Sequence, residues 1–352
     1  MLDMGSDVDA HMRRVLAIHL DPVGGTPYWL DRQKELGIDI VSQVRTVDDL
    51  RKLPLADEDI LRRKPLSYFI PKSVWNAERG KILFCESSGT TGPRKWIPWH
   101  SEFSDRVIDF YNFNLDRYGV PRDMNWVAFG PSGLFEKHCR DVAMSRGGHC
   151  FFLSFDPKHA KSLFMGGDKQ KIIEFYRHIY EEMDYIAARE KIEGIITVPQ
   201  MIELLPEVTN LRDLKVILFG GVGFHGEPDE YMTGLKSYGA MRDKFKKYIF
   251  QGWYGNAFWG PAFIYPDGTN NMNYYPFSPY VVFEVVNPEH PFEKVGYGQR
   301  GRVKFHRFTR EFLWVNSLER DLANRIPPKE PYKCDGVQNI GPYKQEFEKS
   351  KV

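Results

Sequence analysis

Strand-like and helix-like segments alternate along the middle of this chain, and this alternation constrains the fold more than any other feature. Short apolar runs such as KILFCES, NWVAFG and LKVILFGG, rich in β-branched and aromatic residues, indicate buried strands. The stretches SEFSDRVIDFYNFNLDRYG, with a serine cap and a glycine stop, and DKQKIIEFYRHIYEEMDYIAARE indicate helices between them. Residues 9–20 and 26–36 read as short helices, and KYIFQGWYG reads as a strand followed by a loop. From about Asn273, short strand patterns follow one another. We therefore predict an α/β protein with a β-rich final third.

Composition and charge exclude several classes of protein. The 352 residues allow two domains or one large one, and 42% hydrophobic residues provide material for a packed core. A formal net charge of +1 argues against a polybasic surface for nucleic acid or membranes. The N-terminal sequence lacks the pattern of a secretory signal, and no apolar run reaches the roughly 18 residues of a membrane span. Four widely spaced cysteines favour free thiols and a cytoplasmic location.

One loop carries a chemical signal. The segment CESSGTTGPRK, from Cys85 to Lys95, follows a predicted strand and is rich in glycine and hydroxyl side chains. Glycines let several backbone N–H groups converge on phosphate oxygens, hydroxyls add donors, and Lys95 adds a positive charge. The spacing is not that of a Walker loop, and an ordinary flexible turn explains the loop equally well when it is considered alone.

A repeated His-Cys pair raises the question of a metal site. His138-Cys139 and His149-Cys150 are two copies of it, but their spacing fits no standard short zinc motif. The sequence therefore predicts no metal site in the protein.

Five segments, taken together and in order, resemble the adenylate-forming (ANL) superfamily of acyl-CoA synthetases, peptide-synthetase adenylation domains and luciferases. The loop SGTTGPRK is similar to that family's signature loop, with the proline one place early. EGIITVPQMIELLPE, LKVILFGGVGF, FQGWYGNAFWG and WVNSLERDLANRI follow in the family's order. The lead-in ELGIDIVSQVRTVDDLRKLPLADEDILRRKP resembles the phenylacetate-CoA ligase branch. The resemblance implies a large N-terminal core with mixed β-sheets flanked by helices.

The resemblance also implies roles for particular residues. Lys95 and His138 would be catalytic, and Asp321 would bind the ribose hydroxyls. The phosphates and the adenine would be bound by Ser87, Ser88, Gly89, Thr90, Thr91, Gly92, Gly220, Gly221, Val222, Gly223, Tyr254 and Gly255. The acyl pocket would be formed by Phe135, Trp253, Ala257 and Phe258, with Trp259 nearby. For each residue alone a structural explanation is also open: a strand-ending turn, a core aromatic, or an ion pair of Asp321 with Arg320 or Arg325.

The segment Tyr254–Phe258 departs from the family pattern. The family usually continues the Tyr-Gly pair with a Thr and a Glu that helps to bind Mg²⁺, whereas this chain has Asn256, Ala257 and Phe258. The expected cofactors are ATP and Mg²⁺. Either the phosphates, water and the Thr90 and Thr91 hydroxyls hold Mg²⁺, or ATP handling is weakened.

The segments predict four regions. These are a helical lead-in at 1–80, an α/β adenylate-forming core at 81–272, a β-rich subdomain at 273–330, and a truncated hinge with a peripheral tail at 331–352. Lys333 stands where the family hinge usually has an arginine. The family's C-terminal swivelling domain is expected to be absent.

The resemblance implies ATP-dependent activation of an aromatic carboxylic acid as an acyl-adenylate, without thioester formation. The chain also resembles an atypical stand-alone adenylating protein of phenazine-antibiotic (D-alanylgriseoluteic acid) biosynthesis. This resemblance implies a phenazine carboxylate as the substrate. A separate reductase or transferase would take up the product, and no nucleic acid or membrane partner is expected. Two alternatives stay open: a non-catalytic adenylate- or carboxylate-binding protein, and one half of a split acyl-CoA ligase.

Overall fold

Short helices make up the N-terminal part of the protein. The computed structural model describes residues 7–87, 93–156, 159, 162, 169–202, 205, 210–220 and 231–343. The helices are α1 Val8–His19, α2 Pro27–Leu36, α3 Ile40–Gln43, α4 Ile60–Arg63 and α5 Lys72–Glu78, with 3₁₀ turns at Val47–Lys52, Leu66–Phe69 and Arg79–Lys81. Asp7 caps α1, because its carboxylate accepts hydrogen bonds from the backbone N–H groups of Asp9 and Ala10. The predicted helices at 9–20 and 26–36 are confirmed within one residue at each end.

The strand predicted at 81–87 forms one half of a hairpin. Among the described residues, β1 Ile82–Glu86 and β2 Trp96–His100 make an antiparallel two-stranded sheet, with Glu86 opposite Trp96. The Ser87 N–H donates to the Lys95 carbonyl at 2.9 Å, and the Lys95 N–H donates to Ser87 Oγ at 3.0 Å. The glycine- and hydroxyl-rich loop therefore joins the two strands of this hairpin, whose base is closed by Ser87 and Lys95.

A parallel α/β unit occupies the middle of the chain. Its strands are β3 Trp126–Gly130, β4 Cys150–Ser154, β5 Gly194–Thr197, β6 Val216–Gly220 and β7 Ile249–Asn256, which lie in the order β4-β3-β5-β6-β7. The helices are α6 Ser101–Arg117, α7 Leu134–Ser145, α8 Lys169–Ala187, α9 Pro199–Ile202 and α10 Tyr231–Lys244. The chain runs outward from β3 to β4 and then returns to β5, so the strand order reverses between β3 and β5. Ligands of such sheets bind outside the carboxyl ends of the strands at this reversal.

The β-rich final third continues the same sheet. Its strands are β8 Gly260–Ile264, β9 Asn273–Tyr275, β10 Val281–Val286, β11 Arg300–Phe308, β12 Leu313–Ile326 and β13 Gly336–Pro342. Within the described part of the chain, eleven strands lie in the order β10-β11-β12-β13-β9-β8-β7-β6-β5-β3-β4. The predicted α/β fold class is confirmed.

Three local predictions are wrong. His100 caps α6 in place of a serine, because its Nδ1 accepts a hydrogen bond from the Glu102 N–H at 3.2 Å. The loop expected at the Tyr-Gly pair is strand as far as Asn256, because β8 pairs with it. The segment expected to be a peripheral tail contains β13, which lies between β12 and β9. Its apolar Val337 and Ile340 are buried, which offsets the polar character of the flanking residues.

A buried arginine joins the hairpin to the large sheet. Arg307, in β11, has no exposed surface, and its guanidinium donates to the carbonyls of Pro98 at 3.1 Å and Phe258 at 2.9 Å. It also pairs with Glu311 at 2.5 Å. Burial lowers the pKa of Arg307, while the Glu311 carboxylate opposes that shift. One side chain thus fixes β2 relative to the turn between β7 and β8.

The four cysteine thiols are buried, and burial makes them unreactive. Cys85, Cys139, Cys150 and Cys334 are all free and buried, and burial raises the pKa of each thiol. None of the helices in the described ranges combines the length and the apolar character that crossing a membrane requires.

Candidate active site

Two glycines at the carboxyl ends of parallel strands make room for two aromatic rings. A Cβ added at Gly130, the end of β3, would lie 2.4 Å from the Phe135 ring, and one at Gly220, the end of β6, would lie 2.4 Å from the Trp253 ring. The two rings are 6.3 Å apart between centroids. The resemblance assigns Gly220 to nucleotide binding, whereas in the structure the Trp253 indole already occupies the space that a side chain would need. The adenine role of Gly220 stays a prediction.

His138 belongs to the same group of side chains. Its Nε2 lies 3.3 Å from Ser104 Oγ, and its ring is 6.0 Å from Tyr111, which in turn lies 5.8 Å from Trp253. Burial, with a smaller contribution from the Lys137 charge, lowers the pKa of His138 to about 3. The imidazole is therefore neutral at pH 7 and packs among uncharged rings. Its catalytic role stays a prediction.

Tyr254 and Asp321, predicted to act together on the nucleotide, are in contact. The Tyr254 hydroxyl in β7 donates to Asp321 Oδ2 in β12 at 2.8 Å. Burial and then the Asp321 charge raise the pKa of Tyr254, so the phenol stays protonated and remains a donor. The Tyr254 ring packs against Trp259 at 4.8 Å, as a core tyrosine would. The alternative partner Arg325 instead donates to Asp335 at 2.7 Å.

Lys95, the predicted catalytic cation, is held by a carboxylate that the sequence prediction missed. Its ammonium contacts Glu58 Oε2, and Ser317 Oγ donates to Glu58 Oε1 at 2.8 Å. The side chain of Lys95 is 15% exposed, and its Nζ lies 5.8 Å from the centroid of Phe258. Phe258, predicted to lie in the acyl pocket, is therefore beside the cation, and its other described ring contacts include Trp314 at 6.1 Å.

A second missed carboxylate lies next to the turn between β7 and β8. Glu319 Oε1 accepts hydrogen bonds from Asn256 Nδ2 at 2.6 Å and from Trp259 Nε1 at 2.9 Å. Burial, followed by the charges of Asp321 and Glu58, raises the pKa of Glu319 to about 7. One sequence signal could have identified it: Glu319 and Asp321 are two residues apart on a strand, so their side chains point to the same face.

The polar groups of the turn between β7 and β8 are already used. Asn256 donates to Glu319 as described, and its Oδ1 accepts from the Phe258 N–H at 2.8 Å. The Ala257 carbonyl accepts from Trp99 Nε1 at 2.7 Å. Across the described residues, no group of three or more His, Cys, Asp or Glu side chains could hold a metal ion. The turn therefore does not fit a protein-bound Mg²⁺ at the place where the resembled family has its glutamate.

The structure thus brings three separate parts of the chain together. The hairpin base reaches β12 through the Lys95–Glu58–Ser317 contacts, and β12 reaches the turn between β7 and β8 through Glu319 and Asp321. The remaining predicted site residues lie outside the described residues: Ser88, Gly89, Thr90, Thr91, Gly92, Gly221, Val222 and Gly223.

A cavity of about 530 Å³ lies elsewhere, lined in part by Asp7, Glu284, Lys294, Arg325 and Lys333. No predicted site residue lines it. Its cations are paired: Lys294 with Glu284, Arg325 with Asp335, and Lys333 with Glu330. The paired charges explain the cavity lining without a ligand.

The sheet and its flanking helices have the N-terminal core fold of adenylate-forming enzymes. The chain is similar to 2-hydroxyisobutyryl-CoA ligase in the postadenylation state with 2-HIB-AMP, with a TM-score of 0.66, 14% identity, and coverage of 95% of this chain and 66% of the ligase. For the same ligase with 2-HIB-AMP and CoA in the thioesterification state, the TM-score is 0.66, the identity 14% and the coverage 96% and 67%.

An open conformation of that ligase aligns with a TM-score of 0.65 and 14% identity over 95% of this chain and 73% of that one. At such low identity the likeness shows the fold. No family model and no curated protein matches the sequence. The chain spans about two thirds of the ligase, 66% in the postadenylation structure.

Proposed function

We propose that the protein activates a carboxylic acid with ATP as an acyl-adenylate. The carboxylate oxygen attacks the α-phosphorus, the bond between that phosphorus and the bridging oxygen of the departing group breaks, and pyrophosphate leaves. The observation that supports this proposal is the convergence of Lys95, Tyr254 and Asp321 within an adenylate-forming fold. Lys95 would neutralise charge on the departing phosphates, and Asp321 would accept hydrogen bonds from the ribose.

Within that class we propose a flat aromatic acid, and a phenazine carboxylate is the candidate that the family resemblance supplies. The neighbouring rings of Phe135 and Trp253, 6.3 Å apart and tilted by 34°, with Tyr111 against Trp253, support an aromatic occupant because rings pack well on rings. His138 adds a neutral wall to this group. The reaction would end at the acyl-adenylate, which a separate reductase or transferase would consume.

Trapping with hydroxylamine tests the proposed reaction. The protein is incubated with ATP supplied as its Mg²⁺ complex, hydroxylamine, and either benzoate, a phenazine carboxylate or 2-hydroxyisobutyrate, the acid named for the structural neighbour. Hydroxamate and pyrophosphate should form in equal amounts with an aromatic acid and far more slowly with 2-hydroxyisobutyrate. Absence of both products with every acid, from protein that binds ATP, would rule out the activity.

Two variants connect the reaction to the site. Lys95→Met should slow hydroxamate formation about a hundredfold, and Asp321→Asn should raise the KM for ATP about tenfold, because each removes a charge that meets the nucleotide. Lys52→Met is the matched control, since Lys52 pairs with Asp49 on the surface. Equal loss of activity in Lys95→Met and Lys52→Met would contradict the assigned role of Lys95.

One observation favours a second candidate function, a non-catalytic adenylate- or carboxylate-binding protein. The turn at Asn256–Phe258 does not fit the Mg²⁺ ligand of the resembled family, because its polar groups are already used. Calorimetry with a non-hydrolysable acyl-AMP mimic separates the two functions. Tight binding of the mimic without any hydroxamate would select the binding protein.

A further inference from the structure

A short piece of the N-terminal region, Ala56–Arg62, bridges β12 and the base of the hairpin; we call it the brace. The Ala56 N–H donates to the Asn316 carbonyl at 3.0 Å, which fixes one end of the brace on β12. At the other end Arg62 Nε donates to the Pro93 carbonyl at 2.8 Å, inside the loop that carries the phosphate-binding pattern. The brace therefore contacts that loop directly, although Arg62 and Pro93 are 31 positions apart in the chain.

Glu58 lies in the middle of the brace with a different partner on each carboxylate oxygen. Ser317 Oγ, from β12 and with no exposed surface, donates to Oε1 at 2.8 Å, and Lys95 contacts Oε2. Because Ser317 belongs to the large sheet, the carboxylate is anchored from the side opposite Lys95. A carboxylate held in this way fixes the position of its cation and does not follow the cation when it moves.

Lys95 is held at both ends of its side chain. Its backbone pairs with Ser87 through two hydrogen bonds of 2.9 and 3.0 Å, and its ammonium contacts Glu58. A free lysine side chain samples many rotamers, and ordering it when a ligand binds costs conformational entropy. Lys95 has already lost that freedom, and its side chain is only 15% exposed.

The carboxylate has two opposing effects on a phosphate ligand. It cancels part of the Lys95 charge, which weakens attraction for phosphate, and it fixes the ammonium in one place, which strengthens binding. The Ser317 anchor and the second brace contact, from Arg62 to Pro93, favour the fixing effect. These two contacts fix the Glu58 carboxylate relative to the loop. A carboxylate that only competed with phosphate for the ammonium would not need to be fixed.

We propose that Glu58, anchored by Ser317, is a positioning residue that holds the Lys95 ammonium where it meets the departing phosphates of a nucleoside triphosphate. This inference rests on the proposed function and deepens it. It places part of the phosphate site in the N-terminal region, which contributes no residue to the signature loop itself. Glu58 acts through Lys95, so its effect depends on that lysine.

A double-mutant cycle on equilibrium binding tests this. The affinities of ATP and of inorganic pyrophosphate are measured by calorimetry for the wild type, Glu58→Gln, Lys95→Met and the double variant. Glu58→Gln keeps the size of the side chain and an acceptor for Ser317 but loses the charge that holds Lys95. We expect about a tenfold loss of affinity in Glu58→Gln, and no further loss when it is added to Lys95→Met.

Ser317→Ala should give a smaller loss, about threefold, because Glu58 keeps its charge and loses one anchor. Glu35→Gln is the matched control, since Glu35 lies in the same N-terminal region, is exposed, and pairs with Arg32 on the surface. Its affinities should equal those of the wild type.

Two results would overturn the inference: additive losses in the double variant, or equal or tighter binding by Glu58→Gln, which would identify a competitor for the ammonium. A wild type that binds neither ATP nor pyrophosphate also overturns it. A wild type that binds both but forms no hydroxamate ends the proposed reaction alone, and the cycle then still decides the role of Glu58.

Discussion

At the scale of single residues, hydroxyl and amide donors hold the acidic groups of the candidate site. Asp321 accepts from the Tyr254 hydroxyl, Glu319 from Asn256 and Trp259, and Glu58 from Ser317. Such donors orient a carboxylate without neutralising it, so the group can still accept hydrogen bonds from a ligand. Among them, burial raises the pKa of Glu319 to about 7.

Removing the Tyr254 hydroxyl tests whether it orients Asp321. Tyr254→Phe keeps the ring packed against Trp259 but leaves Asp321 without its 2.8 Å donor. We expect the affinity for AMP to fall about tenfold, because the carboxylate is no longer held toward the ribose. Tyr265→Phe is the control, since that hydroxyl donates to the Glu330 carbonyl on the surface. Unchanged AMP binding in Tyr254→Phe would show that Asp321 does not depend on this donor.

Glu319 makes stability depend on pH. Its pKa is raised from 4.5 to about 7 in the folded protein, mainly by burial, so the folded state keeps a proton that the unfolded chain releases. Stability therefore falls as the pH rises from about 4.5 to 7. Glu319→Gln cannot ionise and still accepts from Asn256 and Trp259, so it should be about 2 kcal/mol more stable than the wild type near pH 8.

The difference should shrink to about 0.4 kcal/mol near pH 4.5, where Glu319 is protonated in the folded state and half protonated in the unfolded state. Urea unfolding of both proteins at the two pH values measures it, with Glu190→Gln, at an exposed position, as the control. A Glu319→Gln variant with the same stability as the wild type near pH 8 would mean that the carboxyl ionises without penalty.

At the scale of elements, the close contacts at the ends of β3 and β6 depend on the absence of side chains. A Cβ at Gly220 would lie 2.4 Å from Trp253. We expect Gly220→Ala to cost about 2 kcal/mol of unfolding free energy, because the indole has to leave its rotamer. Gly80→Ala is the matched control, since no atom lies within 4 Å of its added Cβ. Equal stabilities of the two variants would contradict the packing argument.

Replacing Trp253 with a smaller side chain should relieve the clash at Gly220→Ala. In the Trp253→Leu background, Gly220→Ala should cost about 1 kcal/mol less than in the wild type, because the atoms that its Cβ would meet are gone. Chemical denaturation of the wild type, the two single variants and the double variant measures this difference in unfolding free energy.

The elements that the sequence predicted correctly carry an apolar pattern within their own segment. α1 and α2 bury one face, β3 and β6 are continuous runs buried at every position, and all four form at the predicted places. β13 could not be predicted because Val337 and Ile340 stand alone among glycine, proline and amide residues, and its order comes from pairing with β12 and β9. Pairing partners distant in the chain leave no local signal.

The residues of the candidate site likewise include some that the sequence indicated and some that it could not. The contact between Tyr254 and Asp321 agrees with the order of the family-like segments, so the sequence indicated that these parts of the chain meet. Glu58 and Ser317 could not be found, because each is an ordinary surface type in its own segment. They become significant only when the N-terminal region folds against β12.

At the scale of the whole molecule, buried neutral histidines limit stability in acid. Burial lowers the pKa of His19 to about 4 and that of His138 to about 3. His19 Nε2 donates to the Thr309 carbonyl at 2.9 Å, so its Nδ1 accepts from the Thr26 hydroxyl and the ring has no room for a second proton. Below about pH 6.5 the unfolded chain binds protons that the folded chain refuses, so stability falls with pH.

Each imidazole should cost about 2 kcal/mol by about pH 5. Urea unfolding between about pH 5 and 7 measures the slope, and His138→Gln should reduce it. His149→Gln, at an exposed position, is the control and should leave the slope unchanged. A slope equal to the wild type in His138→Gln would show that this ring takes up a proton without loss of the fold.

The guanidinium of Arg307 couples two parts of the protein that no strand pairing joins. It binds the backbone of β2 at Pro98 and the backbone of the turn between β7 and β8 at Phe258, away from any solvent. Opening either piece alone would leave a buried N–H of the guanidinium without its acceptor, which costs about 1–3 kcal/mol. The hairpin and that turn should therefore open together in one cooperative local unfolding event, and the amide hydrogens of both should exchange at a common rate.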